Sequence, residues 1–135
     1  MTKKQKRFFD VARAVSKTSD HPKVRIGCCI VKKRRILSVG VNLMKSHPMQ
    51  KKYNKYRELT MDVNHIHNNI HAEFDAVLKA NPDELVGAEI YVYREDFWGK
   101  RSLCRPCEAC MRLLKSRKIK AVYYTGYNSY HKEEI

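Results

Sequence analysis

Residues 106–125 read "PCEACMRLLKSRKIKAVYYT". Residues 106–118 carry a helix pattern, with Pro106 suited to the first turn, where its missing N–H does no harm. Residues 119–125, "IKAVYYT", follow as a strand. Just upstream, "AEIYVYRE" (88–95) alternates and is rich in β-formers, so it is a strand too. A strand, a helix and a strand in succession imply parallel pairing, and with it an α/β protein.

The rest of the chain extends that frame. Residues 69–80, "NIHAEFDAVLKA", form a helix with an apolar stripe of Ile70, Phe74, Val77 and Leu78, which "NPDELVG" (81–87) ends. Near the start, "VRIGCCIV" (24–31) and "RILSVGVN" (35–42) are strands joined by the basic turn "KKRR" (32–35), so they form a hairpin. Residues 2–18 form the first helix, with Phe8, Val11, Ala12 and Val15 at helical spacing. Residues 43–66 are basic, aromatic and weakly periodic, with room for a short helix around 50–60. A loop of that length in a small domain is often functional. The tail "GYNSYHKEEI" is polar and is expected to be loose. The expected architecture is an α/β sandwich on a mixed sheet, in the order α, β-hairpin, long loop, α, β, α, β. Residues 1–135 are read as one domain.

The hydrophobic fraction of 43% suits a soluble globular protein. No apolar run approaches the roughly 18 residues needed to cross a bilayer, so no membrane partner is expected. The N-terminus has no apolar signal core. A cytoplasmic protein with reduced thiols follows, which favours metal binding or burial over disulfides. The formal net charge is +14, and it is unevenly spread. Residues 1–60 carry 17 basic and 3 acidic side chains, while residues 61–135 carry 11 of each. That bias points to nucleotides or nucleic acid as partners.

Five cysteines are present. Cys28 and Cys29 are neighbours on a strand, face opposite ways, and make a poor metal pair. Cys107 and Cys110 stand at i and i+3 at a helix start, which brings both sulfurs to one side. The helix dipole there favours thiolates, the form that binds metal. Two thiolates do not complete a tetrahedral site, and His71 in "HAE" (71–73) is the best third ligand. Glu73 joins it on one site only if the pair sits at a helix entry, since i and i+2 diverge within a helix. Cys104 lies before the proline and is expected to be a packed thiol. Glu108 reads as a solvated carboxylate at the helix start. His65, His67 or Cys104 offer ligands for a second metal, although one ion is expected. Tyr53, Tyr56, Phe97 and Trp98 stand beside Lys51, Lys52, Lys55, Lys100 and Arg101, an arrangement that either stacks on bases or simply packs.

H-x-E followed by P-C-x-x-C is the zinc deaminase signature. Over about residues 5–125 the chain resembles the cytidine deaminase-like superfamily, and most of all its deoxycytidylate deaminase branch. "IGCCIV…RILSVGVN" resembles that family's opening hairpin, and "PCEACMRLLKSRKIKAVYY" its zinc helix and following strand. The resemblance implies a three-layer α-β-α fold with a shortened C-terminus. It implies that His71, Cys107 and Cys110 hold one catalytic Zn2+. It implies that Glu73 takes a proton from an attacking water, protonates the ring nitrogen and helps ammonia leave. It also places the Ala72 backbone amide at the base carbonyl and Asn42 near the sugar or base. Asp75 stands where the branch often has asparagine. The implied reaction is deamination of cytosine in a nucleotide, dCMP to dUMP. The alternatives are a deaminase acting on cytosine or adenine within single-stranded DNA or RNA, and a non-catalytic zinc protein that binds nucleic acid. Family members often assemble, so a homo-oligomer is expected.

Overall fold

The computed structural model describes residues 1–135, apart from the side chain of His65. Helix α1 spans Lys3–Ser16 and opens on a capping box, in which Thr2 and Gln5 each bond the other's backbone N–H. Strands β1 (Val24–Lys32) and β2 (Arg35–Val41) form the expected hairpin. Lys33 and Arg34 make its turn with φ of 50° and 67°, the hand that matches strand twist. Helix α2 (Pro48–Tyr53) and two 3-10 turns, Asn54–Leu59 and Val63–His65, occupy the segment that resists assignment by pattern. Then come α3 (Ala72–Lys79), a short α4 (Pro82–Leu85), β3 (Glu89–Asp96), α5 (Glu108–Ser116), β4 (Ala121–Thr125) and β5 (Tyr130–Glu134).

The strands make one mixed sheet in the order β2-β1-β3-β4-β5. Only β3 and β4 are parallel, as the strand-helix-strand pattern predicts. Alternation along the strands feeds two cores. Cys28, Ile30, Ile90, Val92 and Val122 meet α3 and α5 on one face. Cys29, Val31, Tyr91 and Tyr123 meet Phe8 and Phe9 of α1 on the other. Cys28 and Cys29 are thus buried on opposite faces, as adjacent strand residues must be. The result is three layers, α-β-α.

Two glycines let helices touch the sheet. A Cβ on Gly27 would lie 2.2 Å from the Ala12 carbonyl of α1. A Cβ on Gly40 would lie 2.2 Å from the Ala72 carbonyl of α3. Val41 also donates its N–H to the buried Asp75 carboxylate at 3.0 Å, and Lys79 bonds the same oxygen at 2.9 Å. Asp75 is therefore a tie between α3 and β2, which gives this acid a structural reason to stand there.

The structure corrects four expectations. The tail is not loose: β5 pairs with β4 from Thr125↔Tyr130 to Ala121↔Glu134. Its side chains are mostly exposed, so it lacks an apolar pattern. Leu78 is 39% exposed and lies off the buried stripe of α3. "NPDELVG" does more than end a helix, since it carries α4 with Asn81 as its side-chain cap. Pro106 precedes the N-cap Cys107 rather than entering the first turn.

Candidate active site

Helices α3 and α5 bring their N-termini to the same place. His71 is the N-cap of α3 and Cys107 the N-cap of α5. Ser, Thr, Asp or Asn usually cap a helix with a side-chain oxygen. Here neither side chain makes a capping bond to its own helix, and the two face each other. His71 Nδ1 lies 3.6 Å from Cys107 Sγ and 3.4 Å from Cys110 Sγ. A tetrahedral zinc with ordinary Zn–S and Zn–N bonds sets that edge at about 3.5 Å. All three ligand atoms fall within 4.8 Å of one another. The residues present fit such an ion.

Several partners fix this geometry. The His71 N–H donates to Gln50 Oε1 at 3.0 Å, and Gln50 in turn donates to Asn54 Oδ1 at 2.8 Å. Both are buried, so the long segment after β2 acts as a brace behind the histidine. The chain enters α3 at His71 with φ −82° and ψ 156°, which is extended. That change of direction lets His71 and Glu73 converge despite their i, i+2 spacing. Glu73 is only 5% exposed. Burial pushes its carboxyl pKa up, against the pull of His71, and Cys110 hydrogen-bonds to it. Cys107 is drawn down to about 4, first by a hydrogen bond from Cys110 and then, against burial, by His71. Burial raises the Cys110 thiol.

Above the cluster lies a cavity of about 270 Å³, lined by His71, Glu73, Cys107 and three arginines, Arg57, Arg94 and Arg105. It shares Ile26, Arg57 and His71 with a neighbouring cleft of about 420 Å³. Asn42 lines that cleft, but its side chain is bonded to β1. It accepts from the Ile26 N–H at 2.9 Å and donates to the Val24 carbonyl at 3.2 Å. One N–H of its amide is left for the cleft. Ala72 is the first residue of α3, and its N–H has no acceptor among the described residues. The sequence does not single out the three arginines or Gln50. Arginine is common in so basic a chain, and only the loop's length hinted at a role for Arg57.

Cys104 stands apart from the cluster. Its Sγ contacts the Val92 carbonyl at 3.3 Å and Thr125 Oγ1 at 3.2 Å, and burial pushes its pKa up to about 11. Cys104→Ser should therefore leave metal content unchanged, as read by elemental analysis. A fall in metal per chain would make it a ligand. His67 and Cys104 join no second ligand cluster among the described residues. The His65 side chain lies outside the described residues. Tyr53 and Tyr56 are packed rather than free: Tyr53 meets Phe74 edge-on, and the Arg112 guanidinium sits 4.9 Å from the Tyr56 ring centre. Phe97 and Trp98, 55% and 87% exposed, are the open pair.

The three-layer fold is that of the cytidine deaminase-like class. A family model described as the cytidine and deoxycytidylate deaminase zinc-binding region matches residues 2–126. The chain belongs to that family. A probable deoxycytidylate deaminase of Caenorhabditis elegans is 28% identical over 123 residues, covering 90% of this chain and 57% of that protein. This chain thus spans little over half the nematode relative's length. The deoxycytidylate deaminase of Mycobacterium phage D29 is 27% identical over 132 residues, covering 87% of this chain and 90% of that protein. The crystal structure of the dCMP deaminase of cyanophage S-TIM5 in apo form superposes with a TM-score of 0.63 at 18% identity, covering 96% of this chain and 88% of that one. That last likeness bears on the fold. No helix among the described residues is long and apolar enough to cross a membrane.

Proposed function

We propose that residues 1–135 act as one zinc-dependent deaminase domain that converts the cytosine of a free nucleotide, dCMP, to dUMP and ammonia. The observation that carries this reading is the buried Glu73 carboxyl, set beside the His71–Cys107–Cys110 trio on the floor of an arginine-lined cavity. His71, Cys107 and Cys110 hold one zinc. When bound, it supplies Lewis acidity and makes a water nucleophilic near neutral pH. The chain does the rest. Glu73 takes a proton from the attacking water and passes it to the ring nitrogen N3, while the water oxygen bonds C4. It then carries the second water proton to the exocyclic amine, and the C4–N4 bond breaks to release ammonia. The oxygen stays as the C4 carbonyl of dUMP, so atoms balance without a redox partner. The Ala72 N–H, unpartnered at the helix start, meets the base carbonyl. Asn42, held rigid by β1, bounds the sugar side.

The names of the two curated relatives support dCMP as substrate. The test is a panel of dCMP, dCTP, cytidine, single-stranded DNA and RNA, each assayed for ammonia or base change. Release of ammonia from dCMP is expected to dominate. Activity confined to polymers would favour the second reading, a deaminase of cytosine or adenine in a single strand. One observation favours that reading: Trp98 and Phe97 stand exposed, with the Arg25 guanidinium 5.4 Å from the Phe97 ring centre.

A further inference from the structure

Helix α3 has room to begin earlier than it does. In a regular helix the His71 N–H would bond the His67 carbonyl, its i−4 acceptor. Here two side chains stand between those groups. The His71 N–H donates to Gln50 Oε1 at 3.0 Å, and Gln50 Nε2 donates to Asn54 Oδ1 at 2.8 Å. Asn54 Nδ2 then donates to the His67 carbonyl and to Asn68 Oδ1, both at 3.0 Å. Arg57 Nη1 reaches the same His67 carbonyl at 3.2 Å, so both lone pairs of that oxygen are engaged.

The relay runs one way only. Turning the Gln50 amide over would set its NH2 against the His71 N–H. Turning Asn54 over would set its oxygen against the His67 carbonyl. Gln50 is 0% and Asn54 4% exposed, so each amide has lost its hydration and depends on these bonds. A leucine would fill the place of Gln50 with no such dependence. The neighbouring peptide is held from another side. The Ile70 N–H donates to the Lys45 carbonyl at 2.9 Å, and the Ile70 carbonyl accepts from the Leu43 N–H at 3.2 Å. Those bonds fix Ile70, whereas the His71 N–H is held by the relay.

We propose that Gln50 and Asn54 are positioning residues that stop α3 from starting one turn early. They thereby hold His71 in the extended N-cap conformation in which it faces Cys107 and Cys110. Without the relay, the His71 N–H and the His67 carbonyl are free to pair directly. His71 then turns with the helix, diverges from Glu73 and leaves the two sulfurs. Both amides act through the His71 backbone and not on an ion. This positioning role rests on the reading above that the trio holds zinc.

The test uses the full chain, zinc-loaded and metal-free. Gln50→Leu removes both ends of the relay. Asn54→Asp keeps the shape and the acceptor for Gln50, but sets an oxygen where the donor to His67 stood. It serves if the leucine variant does not fold. Backbone NMR shifts of residues 67–71 should move towards helical values in either variant. Zinc affinity, measured by chelator competition, should fall about 10-fold or more, as for other outer partners of a metal ligand. The zinc-loaded protein should therefore lose more melting temperature than the metal-free one. Asn81→Ala, which removes the side-chain cap of α4, is the control and should lower both alike. A merely structural Gln50 would behave like that control, with zinc affinity within about twofold of wild type. That result would overturn the assignment, as would unchanged shifts at 67–71. If wild type takes up no zinc while those shifts still turn helical in Gln50→Leu, the metal reading falls and the helix stop stands.

Discussion

Glu73→Ala should keep its metal and lose about 10⁴-fold in turnover. Glu73 is not one of the three convergent ligand atoms, which come from His71, Cys107 and Cys110. Its carboxyl is buried beside them and bonds the Cys110 sulfur. On the function proposed above, alanine removes the proton carrier and leaves the trio. The expected loss sits at the high end for acid–base catalysis because that reading has one group serve both the water and the leaving amine. Metal content by elemental analysis and deamination rate are measured on the same sample. A drop in metal along with rate would place Glu73 among the ligands and sink its assigned role.

Gly40→Ala should destabilise the fold by about 3 kcal/mol, the upper end for overpacking. The new Cβ would meet the Ala72 carbonyl at 2.2 Å and the Ala76 nitrogen at 2.5 Å. Both are backbone atoms, so no side chain can swing away and α3 itself must move. Its displacement carries His71 and Glu73 with it, because His71 caps that helix and Glu73 lies in its first turn. Metal content should fall together with the denaturation midpoint. Gly87→Ala is the control. That glycine has φ +77° with nothing near its missing Cβ, so only backbone strain of about 1 kcal/mol is expected. Equal midpoints for wild type and Gly40→Ala would refute the close contact.

The convergence of His71, Cys107 and Cys110 was legible because each half of it is local. Cys107 and Cys110 share one turn, Pro106 marks its start, and His71 with Glu73 repeats the device at a second helix start. The parallel pair β3–β4 was legible from the strand-helix-strand order. Arg57 and Arg94 were not, since 37 residues separate them and nothing in their neighbours distinguishes them from other basic residues. Only tertiary folding puts their side chains on one wall. Asp75 read as a departure from the family pattern, and its reason is a long-range bond to Val41 that no local pattern carries. β5 escaped for another reason. An edge strand whose side chains face water has no apolar alternation to detect, so its backbone pairing leaves no trace in composition.

That last strand also bears on self-association. The outer edge of β5 is a row of backbone donors and acceptors with no neighbour in the sheet. Such an edge invites a foreign strand and, in the extreme, fibrous growth. Here it is only five residues long and reads "YHKEE", with both signs of charge packed into three consecutive positions. A second copy added parallel and in register would bring its own glutamates against these. Strand β5 thus completes the pairing of β4 and sets mixed charge along its own outer edge.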